Sequence, residues 1–496
     1  MTYEVVVVGG GIGGLTVAAL LAKRGLGVCL LERESQPGGC ARTFEKFGYS
    51  FEPGAGLYHG WNEGGIHEQV FTELSIDAPK TRVLEPSYLI RLPDNTQVAV
   101  THDTEQFEAS LRTAFPECAA EAIEFYRDAR RVSLQVIRTM DRVGDLPSAS
   151  WSQLLGTALR APAIARYLWS SRNDTVANHL SQTSNRFRRF IDLQLQTFTQ
   201  SSSEECSYLF GSVALEIGRQ PLFAIAGGPT ALVGRLEESI QKSGGVIRCN
   251  APVLRLAYDS SGRAAGVDLL SGERVNASRA IVSNLTVWDT YGKLVGLNRT
   301  PAQMRHRLKS LRGWGAYMLY LGMDEEAAQR LQADRLLVLT DWQDGKSYAP
   351  HRAQFAFAAT PQWDLRAPAE KRAVTVHTFT EAEDWFQYHE SEVEHETQDQ
   401  AALEEWWAKV HAALPELGSG IEVIETATPR TYYELTRRRL GMVGGIGQAL
   451  EISGLNSVGH STSISNLFMV GDTTFPGAGI ATVTHGALIC ANKIKS

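Results

Sequence analysis

Apolar residues in this chain fall into two kinds of run. Short, uninterrupted runs rich in β-branched residues recur at 3–8, 28–31, 280–284 and 467–470. Runs of this length predict strands buried on both faces, as in a parallel sheet. Other stretches space their apolar residues at helical intervals. Leu15, Ala18, Ala19 and Ala22 predict a helix from about 13 to 24, stopped by Gly25. Residues 226–256 read as glycine turn, amphipathic helix, Gly-Gly turn and strand. The stretch 103–190 reads mostly helical, and WGAYMLYLGM (314–323) and AVTVHTFT (373–380) predict strands. The fold class this predicts is α/β.

Composition narrows the partners. A chain of 496 residues is long enough for two domains. Its net charge of -7 argues against a nucleic-acid surface. The cysteines at 29, 40, 118, 206, 249 and 490 form no CxxC pair, so neither a zinc site nor a disulfide framework is expected. That usage suits a reducing, cytoplasmic setting. MTYEVVVVGG lacks the basic lead and cleavage site of a secretory signal, and no apolar run is long enough to predict a membrane span. HESEVEHE (389–396) reads as a solvated acidic helix face, and no metal site is expected.

The candidate chemistry begins at VVVVGGGIGGLTVAALLAKRG, where Gly9, Gly11 and Gly14 give the G-x-G-x-x-G spacing. The first glycine permits the tight turn, the second lets backbone approach a pyrophosphate, and the third lets helix pack on strand. The helix start at Ile12 and Gly13 offers unpaired N–H groups and a positive dipole end to phosphate. Glu32, with Arg33 beside it, ends the second strand where an acid accepts hydrogen bonds from ribose hydroxyls. The order of strand, glycines, helix, strand and acid predicts a dinucleotide site.

In ERESQPGGCARTFEKFGYSFEPGAG (32–56), Gly38 and Gly39 break the chain, Arg42 follows, and Gly54, Ala55 and Gly56 come after two aromatics. This resembles the second signature of the flavoprotein group that contains amine oxidases and phytoene desaturases. In that group Arg often follows the glycines directly; here Cys40 holds that place. NLFMVGDTTFPGAGIATVTHGALICANKI (466–494) is similar to the C-terminal motif of carotenoid desaturases and isomerases. The resemblance implies FAD. It places Asp472 at the ribityl–phosphate region, with Gly471 before it, and Gly479 and Ile480 at the pyrimidine edge of the flavin. It also puts Val253 at the adenine and Asn284 at a strand end beside the cofactor.

By the same resemblance the FAD domain is Rossmann-like and discontinuous, at 1–75, 222–300 and 440–496. The pieces 76–221 and 301–439 then form a mixed α+β substrate domain carrying a helical lid, its helical part at about 103–190. The implied reaction is desaturation of a carotenoid or related lipophilic polyene by hydride transfer to flavin N5, with quinone or oxygen as acceptor. Cis–trans isomerisation by reduced FAD, saturation, amine oxidation and non-catalytic pigment binding remain alternatives. Tyr432, Glu434, Arg437 and His485 are candidate pocket residues for the chemistry. The stretch 151–172 combines tryptophans, leucines and arginines without an acid, which fits either a membrane-surface contact or a packed lid.

Overall fold

Two seven-stranded sheets divide the chain between them. The computed structural model describes residues 1–149, 174–342, 349–387 and 391–495. The stretch 151–172, read above as lid or membrane contact, lies outside the described residues.

The first sheet runs in the order Val253–Tyr258, Ala264–Leu269, Arg274–Ser283, Thr2–Val8, Val28–Leu31, Val246–Arg248, with Leu467–Met469 also paired to Arg274–Ser283. Thr2–Val8 is parallel to both of its neighbours. Val5 to Val8 are buried, as a strand covered on both faces requires. The helix Ile12–Lys23 follows and is buried from Ile12 to Ala22. Its small residues permit this: it is wedged against the helices Pro229–Lys242 and Ile480–Lys495. A Cβ on Gly14 would lie 2.1 Å from Gly9 O, so only glycine allows helix and strand to pack this closely.

The second sheet runs Ile421–Ala427, Gly315–Asp324, Lys371–Thr380, Gln354–Ala359, Arg335–Leu339, Tyr88–Arg91, Gln97–Val100. Side chains alternate between its faces. Leu319, Leu321, Val374 and Val376 point outward and pack on Trp406 and Val410 of the helix Glu392–Ala413. Ala316, Met318, Tyr320 and Ala373 point inward and pack on Tyr49 and Phe51. Those two aromatics belong to a hairpin, Phe44–Lys46 and Tyr49–Phe51, that leaves the glycine-rich unit and lies on the second sheet. The Phe51 and Tyr320 rings meet at 5.1 Å. Helices Thr104–Ala114, Ala119–Val143, Asn185–Thr199 and Tyr208–Arg219 build a further core beside the edge strands. Among the described residues no helix is long and apolar enough to cross a membrane.

Candidate functional site: a glycine cradle beneath a mixed sheet

The first glycine turn folds as its spacing predicts. Gly9 takes φ +98°, open to glycine at little cost, and its N–H donates to Leu31 O at 2.8 Å. Gly11 caps the helix Ile12–Lys23 with no side-chain bond, and no acid lies in the first turn. The leading N–H groups are therefore available to an anion. A Cβ on Gly11 would come within 2.7 Å of Asn284 Nδ2, and one on Gly13 within 2.7 Å of Asn284 Oδ1. Asn284 thus sits directly across the helix start.

The second glycine pair touches the first. Gly38 N donates to Gly10 O at 2.7 Å, and a Cβ on Gly39 would sit 3.4 Å from Gly11 Cα. Glu32 closes the other side: its Oε2 accepts from Gly10 N at 2.7 Å and its Oε1 from Glu34 N at 2.8 Å. Each carboxylate oxygen keeps lone-pair capacity for a sugar hydroxyl. Arg33 pairs with Glu34 and donates to Leu435 O, while Arg42 is exposed.

The C-terminal motif arrives from the other end of the chain. A Cβ on Gly13 would lie 3.2 Å from Gly471 N and 3.1 Å from Val483 Cγ1. The helix Ile480–Lys495 therefore begins beside the first glycine turn, after Gly479 at φ +96°. Asp472 Oδ2 accepts from Arg438 Nη2 at 2.7 Å, and Arg438 Nε donates to Met442 O. Gly445 passes so close to Asp472 O that a Cβ there would sit 2.2 Å away. Val253 opens its strand half-buried, against the core beneath the first sheet.

Gly54, Ala55 and Gly56, here called the ledge, follow the hairpin strand Tyr49–Phe51, which packs on the second sheet. A Cβ on Gly54 would meet nothing within 4 Å. Behind the ledge lies a buried charge network. Glu52 Oε1 accepts from Arg366 Nη2 at 2.7 Å and stands 3.5 Å from Arg335 Nη2; Glu52 Oε2 accepts from Tyr58 OH at 3.0 Å. Arg335 Nε donates to Gly56 O at 2.9 Å, and Arg366 Nε to Asp364 Oδ2 at 2.8 Å. Burial alone would raise the Glu52 pKa; Arg335 and Arg366 overcome it and hold the carboxyl below its usual value.

The candidate pocket residues separate. Tyr432 is buried and donates to Pro53 O at 3.0 Å, behind the ledge. Glu434 is exposed and pairs with Arg430; Arg437 is exposed, with its guanidinium over the Tyr433 ring. For Glu434 the cause is helical periodicity, since two residues beyond Tyr432 along Pro429–Thr436 turn about 200° from the buried face; Arg437 lies past the helix end, at its left-handed cap with φ +53°. Glu434 and Arg437 are thus not brought to the cradle. His485 is half-buried, and burial lowers its pKa against a weaker opposing effect of Asp141. The residues missed from sequence are Glu52, Arg335, Arg366, Arg438 and His377. A lone acid before Pro-Gly was a signal for Glu52, and a histidine at an inward position of AVTVHTFT was one for His377. Burial lowers the pKa of His377 to about 4, and that of His59, three residues beyond the ledge, to about 4 as well.

The donor set fits a dinucleotide: a bare helix N-terminus, glycines where side chains would block approach, and a carboxylate with spare capacity at the second strand's end. A family model described as NAD(P)-binding Rossmann-like domain matches residues 7–74. Prolycopene isomerase from the chloroplast of Arabidopsis thaliana is 25% identical over 510 residues, covering 100% of this chain and 83% of that protein. All-trans-retinol 13,14-reductase of Danio rerio is 25% identical over 528 residues, covering 99% and 86%. A solved putrescine oxidase bound to putrescine aligns with TM-score 0.67 at 14% identity, over 100% of this chain and 98% of that one. The last likeness is one of fold. The first two run the length of the chain and bear out the resemblance to the carotenoid isomerase-like branch. The site is of nucleotide-cofactor type.

Proposed function

We propose that the protein is an FAD-dependent oxidoreductase acting on a carotenoid or related lipophilic polyene. The observation that carries this reading is end-to-end similarity to two enzymes whose names specify polyene substrates, over a chain whose separate glycine segments meet at one cradle. In this reading the start of the helix Ile12–Lys23 holds the pyrophosphate and Glu32 the ribose. Gly38, Gly39, Arg42 and the Gly54–Gly56 ledge run along the cofactor. Asn284, Gly471 and Asp472 lie near its middle, Val253 at the adenine, and Gly479 and Ile480 at the flavin edge. Segments 1–75, 222–300 and 440–496 then form the cofactor domain.

A bound flavin would supply two-electron hydride exchange. The chain's own residues bind and exclude water. On the inner face of the second sheet Thr375 Oγ1 donates to Glu52 O, with Met318 and His377 on the same face. Tyr432 and the Glu52 network hold Pro53 to Gly56 in place from behind. Arg438 fixes the Asp472 carboxylate. Desaturation is the first reading; isomerisation without net redox change is the second, favoured by the prolycopene isomerase likeness. Quinone or oxygen as electron acceptor, and a peripheral position on a membrane, belong to the same proposal.

The test is incubation of FAD-reconstituted protein with a cis-polyene, with and without reductant, followed by mass and absorption of the products. Loss of two hydrogens indicates desaturation, unchanged mass with a shifted spectrum isomerisation, and gain of two hydrogens saturation. A protein that stays colourless after reconstitution with FAD refutes the proposal.

A further inference from the structure

Arg438 brings to the cradle a guanidinium that is only partly used. The turn that delivers it is strained: Arg437 at φ +53° and Leu440 at φ +49° are left-handed without being glycine. Gly441 follows at φ +61°, where any side chain would run into Pro429 O. Strain of this kind persists only where the surroundings enforce it, and it gathers at functional positions. Within this turn Arg438 points inward, with its side chain 16% exposed. Nη2 donates to Asp472 Oδ2 at 2.7 Å and Nε to Met442 O at 2.6 Å. Nη1 has no partner among the described residues, so both of its N–H bonds are open.

The clamp sets that open edge beside the helix start. Asp472 follows Gly471, whose N lies 3.2 Å from where a Cβ on Gly13 would be, in the first turn of Ile12–Lys23. From the other side comes Cys40, which follows Gly39; a Cβ on Gly39 would sit 3.4 Å from Cα of Gly11, the helix cap. The turn Gly39–Ala41 packs on the helix Pro429–Thr436, and Arg438 and Asp472 are the charges that act on the Cys40 thiol. Burial raises the pKa of that thiol against the pull of Arg438, so it stays neutral and takes no charge from the arginine. The other charges nearby are committed. Arg33 is spent on Glu34 and Leu435 O, and Arg42 is exposed. Asp289 pairs with Lys293 at 2.7 Å and accepts from Arg439 N at 3.2 Å. Left alone, the Asp472 carboxylate would add a negative charge beside a diphosphate. Arg438 neutralises it and keeps two N–H bonds for a phosphate oxygen.

We infer that Arg438 binds a phosphate oxygen of the dinucleotide cofactor through Nη1, with Asp472 and Met442 O holding the guanidinium in place. The inference rests on the FAD reading and adds to it a cation carried by a distant turn. The test titrates apoprotein with FAD, read by flavin fluorescence, and with ADP, which has the diphosphate but no flavin, read by displacement of FAD. Arg438→Gln is expected to weaken both ligands by about 10- to 100-fold, the worth of hydrogen bonds between charged groups. It should also flatten the fall of FAD affinity with added salt. Arg438→Lys keeps the charge but loses the fork, and should recover part of the affinity. Arg438→Gln is then repeated in an Asp472→Asn background. The loss should persist there, because the arginine touches phosphate itself. If Arg438→Gln does not fold, Arg438→Lys carries the same comparisons with a smaller loss. Unchanged FAD affinity, a loss for FAD without one for ADP, or a loss that vanishes in the Asp472→Asn background overturns the inference. A wild-type protein that binds no FAD overturns the FAD reading as well, and so marks the two failures apart.

Discussion

Glu52 is the residue whose loss should be felt most widely. Glu52→Gln keeps the shape of the side chain and removes its charge. Arg335 and Arg366 stay behind, with side chains 1% and 4% exposed. Breaking a buried ion pair by removing one partner costs about 3–5 kcal/mol, because the remaining charge is uncompensated. The amide still accepts a hydrogen bond, so the lower end of that range applies. Over 496 residues, an unfolding entropy of about 2.1 cal/mol/K per residue makes each degree worth about 1 kcal/mol if the chain melts as one unit. The expected fall in melting temperature is about 3 °C. Differential scanning calorimetry of the FAD-loaded protein reads it directly. The pH dependence gives a second readout. The Glu52 pKa is depressed in the fold, so its contribution is fully present above the unfolded value of about 4.3 and is lost as pH falls through the lower, folded value. Glu52→Gln should flatten that acid limb. In the double variant with Arg366→Gln, the two losses should add to less than their sum, because both remove the same pair. A melting temperature within 1 °C of wild type at about pH 7, with an unchanged acid limb, would refute the assignment of stability to this network.

Three further outcomes follow from the cradle and the buried histidines. Glu32→Ala should weaken FAD retention by about 10- to 100-fold, the worth of a hydrogen bond to a charged acceptor, measured by flavin fluorescence on dilution; unchanged affinity would show that the carboxylate does not hold the ribose. Gly14→Ala should yield protein that is poorly soluble or holds no flavin, since the new methyl would lie 2.1 Å from Gly9 O; a soluble, fully loaded variant would contradict the close strand–helix packing. Burial holds His59, His351 and His377 at about 4 and His67 at about 3, below the unfolded value of about 6.5. The unfolded chain therefore takes up protons first as pH falls, and stability should decline from about pH 6.5 towards 4; a melting temperature that rises over this interval would refute the buried, neutral state.

What was legible in the sequence was what local pattern determines. Val28–Leu31 forms the predicted strand, Ile12–Lys23 the predicted helix to within a residue, and Glu32 stands at the strand's end. Each signal lies within a few residues of the structure it dictates: β-branched runs, helical spacing, glycine turns. The second sheet was legible only as strands, at 314–323 and 373–380, because pairing depends on partners far along the chain. Thr375 meets Glu52 across 323 positions, and Arg366 meets it across 314. No local pattern marks such a pair. Glu434 shows the converse error: a carboxylate in a promising stretch was chosen by chemistry, and helical phase turned it to solvent.

This division has a functional consequence. Cofactor binding in this architecture is written in spacing, so it survives large changes elsewhere as long as the glycines, the acid and the strand–helix order remain. What each face of the second sheet presents is written in register. Along Lys371–Thr380, Val374 and Val376 face the outer core, while Thr375, His377 and Phe379 face inward, Thr375 towards Glu52 and Phe379 towards Gly444. A shift of one residue would exchange the two sets, placing an imidazole on the outer face with Trp406 and a valine on the inner face. What fixes the register is the apolar outer face, where burying a valine or leucine is worth about 1.5–3 kcal/mol each, far more than any contact His377 makes. The outer core thus sets the geometry of an inner face it never touches.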